Sequence, residues 1–244
     1  MEEKKFYEEL KVKFKEIINK HGIADDKVSV IFTRPLTPRE AIGTPKRRDF
    51  PILKGKEVMI EAMFRQSKGQ AFTDRPSNFE GTVLDLLELP LSNNSERAIF
   101  IASLNAIMRH FGHITNTVHC KNGEPEICAE RLLKYIKERF HNPKIAFIGF
   151  QPAMISKLSQ SFQIEVVDLD KDNIGKEKFG VNISGSEKTE EVISWGDVII
   201  ATSSTAANGS IVRFIGKKPV VFFGVTGASV CALFGLTRFC PCSH

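Results

Sequence analysis

The chain has 244 residues, 42% of them hydrophobic and 26% charged. That length permits one large domain or two small ones, two being the expectation, and the composition excludes a disordered or fibrous chain. The formal net charge of +5 comes from lysines and arginines interleaved with Glu and Asp, which leaves no extended positive footprint for nucleic acid.

No apolar run approaches the ~20 residues of a membrane span, and the charged start lacks the apolar segment of a signal peptide. A cytoplasmic protein with no membrane partner is expected. Five cysteines is an odd count. In a reducing compartment they read as thiols, metal ligands or core residues rather than a disulfide framework.

In chain order, residues 2–21 predict a helix, with Phe6, Leu10, Val12, Phe14, Ile17 and Ile18 as its apolar stripe and Gly22 near its end. Residues 28–33 read as a strand rich in branched side chains. Residues 34–51 carry four prolines and five basic side chains, too irregular for a regular element and long for a simple connection, which marks a functional loop. Residues 56–63 fit strand or helix, 69–81 a loop, and 82–89 a second ambiguous apolar segment. A helix at 96–111 joins the two halves, and another at 126–140 follows a loop holding His119 and Cys120.

The pattern then changes. Segments 144–149, 162–168, 197–202 and 219–224 are short runs apolar on both faces, separated by stretches that can hold helices. That is the signature of a parallel sheet covered on both sides, a Rossmann-like α/β unit. Its ligands belong outside the carboxyl ends of the strands, where loop amides and helix starts converge.

Each strand end carries ligand-friendly residues. Gly149 permits a tight turn before Gln151 and Pro152. Asp168 follows nineteen positions later, a spacing that resembles the ribose-binding acid of nucleotide sites. Gln151 and Met154 break the glycine fingerprint, so no close pyrophosphate approach is provided, and the alternative for Asp168 is a cap on the next turn. Thr202, Ser203, Ser204 and Thr205 give four hydroxyls in a row before Asn208 and Gly209. An N-cap accounts for one of them, and the others suit an anion or a polar heterocycle. Gly224, Thr226 and Gly227 repeat the theme.

The chain closes with Cys240, Cys242 and His244, soft donors suited to zinc, nickel, copper or iron. The alternative is a frayed tail. His119 and Cys120 form a second donor pair, while Cys128 and Cys231 read as buried structural thiols. No Ser-His-Asp order, metalloprotease helix or phosphate loop is present, which argues against common hydrolases and NTPases.

Several segments together carry a family resemblance: LTPREAIGTPKRRDFPILKGKE at 36–57, GQAFTD at 69–74, SLNA at 103–106, TVHCKNGEPEICA at 117–129, and the TSSTAANGSI, VVFFGVTGAS and RFCP segments. They resemble the heavy-metal-chelation domain family, whose members pair an enolase N-terminal-like domain with a Rossmann-like one. The resemblance implies an α+β domain at 1–95, a Rossmann-like domain at 96–244, and one cleft between them. It points to Thr37, Glu40, Arg47 and Asp49 from the smaller domain and to Asp168, Thr202, Asn208 and Thr226 from the larger. Cys240 falls on the RFCP segment. Where the family has TGST, this chain has Thr202-Ser203-Ser204-Thr205, which removes the most flexible backbone position.

The expected function is binding or processing of a heavy metal or a metal-chelating small molecule in that cleft, with a divalent transition metal as the cofactor implied. One alternative is an enzyme using an S-adenosylmethionine-like cofactor, with Asp168 on the ribose and Glu40 or Asp49 as acid or base. Another is a protein acting on a pterin, flavin or siderophore-type heterocycle. Whether the chain is catalytic, and whether it forms a homo-oligomer, the sequence leaves open.

Overall fold

The computed structural model describes residues 2–24 and 30–244. The first helix, α1 (Glu3–His21), buries Phe6, Tyr7, Leu10, Phe14 and Ile18 at helical spacing and ends on Gly22 in the left-handed conformation. Val12, expected on that stripe, is exposed.

The next four strands, β1 (Val30–Leu36), β2 (Val58–Phe64), β3 (Ser67–Thr73) and β4 (Phe79–Thr82), form an antiparallel sheet in the order β3-β2-β1-β4. Residues 28 and 29 of the strand expected at 28–33 lie outside the described residues. The segment 34–51 is more regular than its prolines suggest. β1 runs on through Pro35, a position beyond the pairing with β4, so no ladder hydrogen bond from its missing N–H is needed on that side. A short helix, α2 (Pro38–Ile42), then starts on a capping box made by Thr37 and Glu40. Segment 69–81 was expected to be a loop, yet it supplies most of β3 and three of the four residues of β4. Gly69 hides the strand pattern because helix backbone fills the space where its side chain would stand. The ambiguous segment at 82–89 is a helix, α3 (Val83–Glu88), capped by Thr82 and Asp85.

Helix α4 (Asn94–His110) is capped by the Asn93 side chain, and every residue from Arg97 to Met108 is buried. It packs on β3 and β2 with one face and on the larger unit with the other. That unit runs through α5 (Glu124–Phe140), β5 (Ile145–Ile148), α6 (Pro152–Leu158), β6 (Ile164–Val167), β7 (Glu177–Lys178), β8 (Val181–Ser184), α7 (Thr189–Trp195), β9 (Val198–Thr202), α8 (Thr205–Asn208), β10 (Val220–Phe223), α9 (Ala228–Phe234) and β11 (Arg238–Phe239). Its seven-stranded sheet has the order β11-β10-β9-β5-β6-β8-β7, parallel except for the β7–β8 hairpin. The sheet is therefore wound outward in both directions from β5 and β9, with a switch point between their carboxyl ends.

Alternate residues of each central strand enter opposite cores. Ala146, Ile148, Ile199, Ala201 and Phe222 face the layer of α4, α1 and the antiparallel sheet. Ile145, Phe147, Val198, Ile200 and Phe223 face α5 and α6, with Ile42, Phe50 and Ile52 from the segment before β2. Burial on both faces is why these runs are continuously apolar in the sequence. Among the described residues no helix is long and apolar enough to cross a membrane.

Candidate functional site

A cavity of about 690 Å³ opens at the carboxyl ends of β5, β6, β9 and β10, closed from above by Ile52, Lys56, Glu57, Phe72, Thr73 and Asp74 of the antiparallel unit. Seven of the expected ligand residues line it: Gly149, Asp168, Thr202, Ser203, Ser204, Asn208 and Thr226. Gly149, at φ +94°, lets β5 end flush against Thr202, whose Cγ2 would lie 2.7 Å from any side chain there.

The hydroxyl run is largely occupied with its own architecture. Thr205 Oγ1 donates to the Thr202 carbonyl at 2.7 Å, and Thr202 and Ser204 share a hydrogen bond of 2.9 Å. Ser203 Oγ accepts the Gly227 N–H at 2.9 Å. Ser203 thus braces the loop after β10. Thr226 Oγ1 accepts the Phe72 N–H at 3.0 Å, tying that same loop to β3. Asn208 Oδ1 accepts from the Ser210 amide and hydroxyl.

One end of the cavity is acidic. Asp168 is held by the Leu169 N–H at 2.8 Å and the Asn173 side-chain amide at 2.6 Å, and burial raises its carboxyl above the usual range despite those bonds. Glu57 stands within electrostatic reach of it. Burial, followed by the like charges of Asp168 and Asp170, pushes the Glu57 carboxyl up to about 7. No sequence signal marked Glu57, because its character comes from acids in the loop after β6, far away in the chain.

Another wall carries soft donors: His119, Cys120, Cys128 and Cys240. His119 Nδ1 donates to the Cys120 carbonyl at 2.6 Å, which leaves the Nε2 lone pair uncommitted, and burial keeps the ring neutral. Burial also pushes the Cys120 and Cys128 thiols far up, and Cys128 shares a hydrogen bond with Cys242. Cys128, read from the sequence as structural, belongs to this wall. Cys242 and His244 do not line the cavity. His244 instead pairs with Glu124 at 3.2 Å and exchanges two backbone bonds of 2.8 Å with Val118, so the chain end is docked rather than frayed. Among the described residues, no three His, Cys, Asp or Glu side chains stand close enough to hold one metal ion.

The expected residues from the smaller unit stand elsewhere. Thr37 and Glu40 are exposed and spent on the capping box, with Glu40 also paired to Arg34 at 2.9 Å. Arg47 and Asp49 form a two-pronged ion pair at 2.9 and 2.7 Å. The Arg47 guanidinium covers the Phe179 ring, which stacks on Phe150. This layer fastens the 43–50 loop to the β7–β8 hairpin beside the cavity.

Two solved structures share the fold. One is a protein of unknown function from the DUF364 family of Pyrococcus horikoshii, at TM-score 0.54 and 16% identity over 88% of this chain and 79% of that one. The other, from the same family in Desulfitobacterium hafniense DCB-2, reaches 0.51 and 14% identity over 91% and 81%. No curated protein matches the chain. Residues 132–236 match the DUF364 family model, described as "putative heavy-metal chelation", so the family resemblance read from the sequence is shown over that segment, and the two solved structures share the fold over most of the chain.

Proposed function

We propose that the cavity binds a metal-chelating or metal-carrying small organic molecule between an enolase N-terminal-like unit, residues 1–95, and a Rossmann-like unit, residues 96–244, with α4 packed against both. The observation that carries this reading is a cavity of about 690 Å³ with soft donors on one wall and polar groups at the strand ends, a size suited to an organic ligand. The family description supports a general metal-binding role.

The donor set fits a metal that arrives with ligands of its own. His119 is neutral and fixed in the tautomer that exposes Nε2, as metal-binding imidazoles are. The thiols of Cys120 and Cys240 are suited to a soft or borderline divalent ion once it displaces their protons. Donors spread along a wall complete a chelate better than they cage a bare ion. Asp168, at the end of β6 next to the switch point, favours a second reading in which the organic molecule is an adenosyl-type cofactor. In that reading Glu57 replaces Glu40 and Asp49 as the acid or base, since both of those are spent on local contacts.

Elemental analysis of the purified protein, with thermal shifts in zinc, nickel and cobalt, tests the metal reading. Near-stoichiometric metal that is lost in His119→Ala or Cys240→Ser is expected. Metal-free protein that gains no stability from any of the three ions, added alone or as small-molecule chelates, overturns it.

A further inference from the structure

The acidic end of the cavity is built from both units. Glu57 comes from the segment before β2, and Asp168 and Asp170 from the loop after β6. Three of the cations around the cavity are already engaged, while Lys54 and Lys176 act on Asp172 and Lys178 at longer range. Lys56 pairs with Asp172 at 2.7 Å and with Asp170 at 3.6 Å. Lys178 bonds to Asn173 and lies over the Phe150 ring. Arg213, which also lines the cavity, pairs with Glu190 at 3.3 Å.

Glu57 differs from all of these. Its side chain is half-buried and faces the cavity, and it makes no hydrogen bond or ion pair with any described residue. The charges that reach it, those of Asp168 and Asp170, have its own sign. A partly desolvated acid facing like charges costs stability unless a positive partner completes it. Phe50, Ile52 and Phe150 line the same cavity.

We propose that this end of the cavity is a subsite for an organic ammonium group, a protonated amine carried by the bound small molecule and held between Glu57 and Asp168. The inference rests on the reading of the cavity as an organic-ligand site and is independent of the metal. Binding draws Glu57 into its ionised form and releases a proton, so affinity rises with pH through neutrality. The titratable groups facing Glu57 are Asp168 and Asp170. Lys56 is turned to Asp170 and Asp172, and His119, on the soft-donor wall, is neutral.

Three probes of similar shape and different charge test it: tyramine, 4-ethylphenol and 4-hydroxyphenylacetate, each at about 10 mM, in thermal shifts at pH 6 and pH 8. Tyramine is expected to stabilise the wild type, more at pH 8. Its apparent affinity should fall about tenfold in Glu57→Gln and in Asp168→Asn. Both variants should unfold cooperatively without ligand, which separates lost binding from lost fold. Equal tyramine effects on wild type and Glu57→Gln, a preference for the anion, or no tyramine effect overturns the subsite. In that event, stabilisation of all three proteins by neutral 4-ethylphenol leaves the organic-ligand cavity standing, whereas silence from every probe counts against both readings.

Discussion

Asn105 joins three parts of the molecule through one buried side chain. Its Nδ2 donates to the carbonyls of Gln70, Val225 and Thr226 at 3.1–3.2 Å, and its Oδ1 accepts the Ser229 N–H at 2.8 Å. The SLNA segment that helped carry the family resemblance therefore has an architectural reason, holding β3 and the loop after β10 in register over the cavity. Glu57 makes the opposite contribution. Its carboxyl titrates at about 7 in the folded protein against 4.5 ordinarily, so between those pH values the native state holds a proton that the unfolded state has lost. The contribution of Glu57 to stability is then greatest at or below about pH 4.5, falls as pH rises to about 7 and is level above it, the loss being on the order of 3 kcal/mol at most and smaller once solvent screens this half-buried group. Urea denaturation at pH 5 and pH 8 should show that loss in the wild type, and Glu57→Gln should remove it. An unchanged pH dependence in the variant would place the proton elsewhere.

Among the elements, β3 shows why a strand can be hard to read. A side-chain carbon at Gly69 would stand 2.2 Å from the Ala102 carbonyl oxygen and 2.3 Å from the Ala106 nitrogen, both backbone atoms of α4 that cannot swing aside. The glycine needed for that approach interrupts the alternation by which strands are recognised. Gly69→Ala should cost about 2–3 kcal/mol in urea denaturation, and a variant as stable as wild type would mean that α4 can move away from the sheet. The strands β5, β6, β9 and β10 were legible because they form apolar runs between helices. β7, β8 and β11 were not, since β7 and β11 have two residues each and β8 exposes Asn182 in the middle of its run. Helix α2 was missed among prolines, although its capping box and the proline at its start are both local signals.

For the whole molecule, α4 is the decisive element, because one core runs from the antiparallel sheet through it to the parallel sheet. The units proposed at 1–95 and 96–244 should for that reason unfold together. Trp195, which reports on the larger unit, and amide protection in β2 and β3 should be lost at the same urea concentration. Separate transitions would show two independently stable units. The sequence by itself determined the α/β class, the strand ends that line the cavity and the soft donors His119, Cys120 and Cys240, because burial on both faces and donor chemistry are properties of local runs. Only the tertiary structure decided which acids meet. Glu57 acquires its charge environment from Asp168 and Asp170 across the cavity, Cys128 joins the thiol wall through packing, and Thr37 and Glu40 are consumed by a helix cap. Those outcomes depend on distances between segments far apart in the chain, which no local pattern encodes.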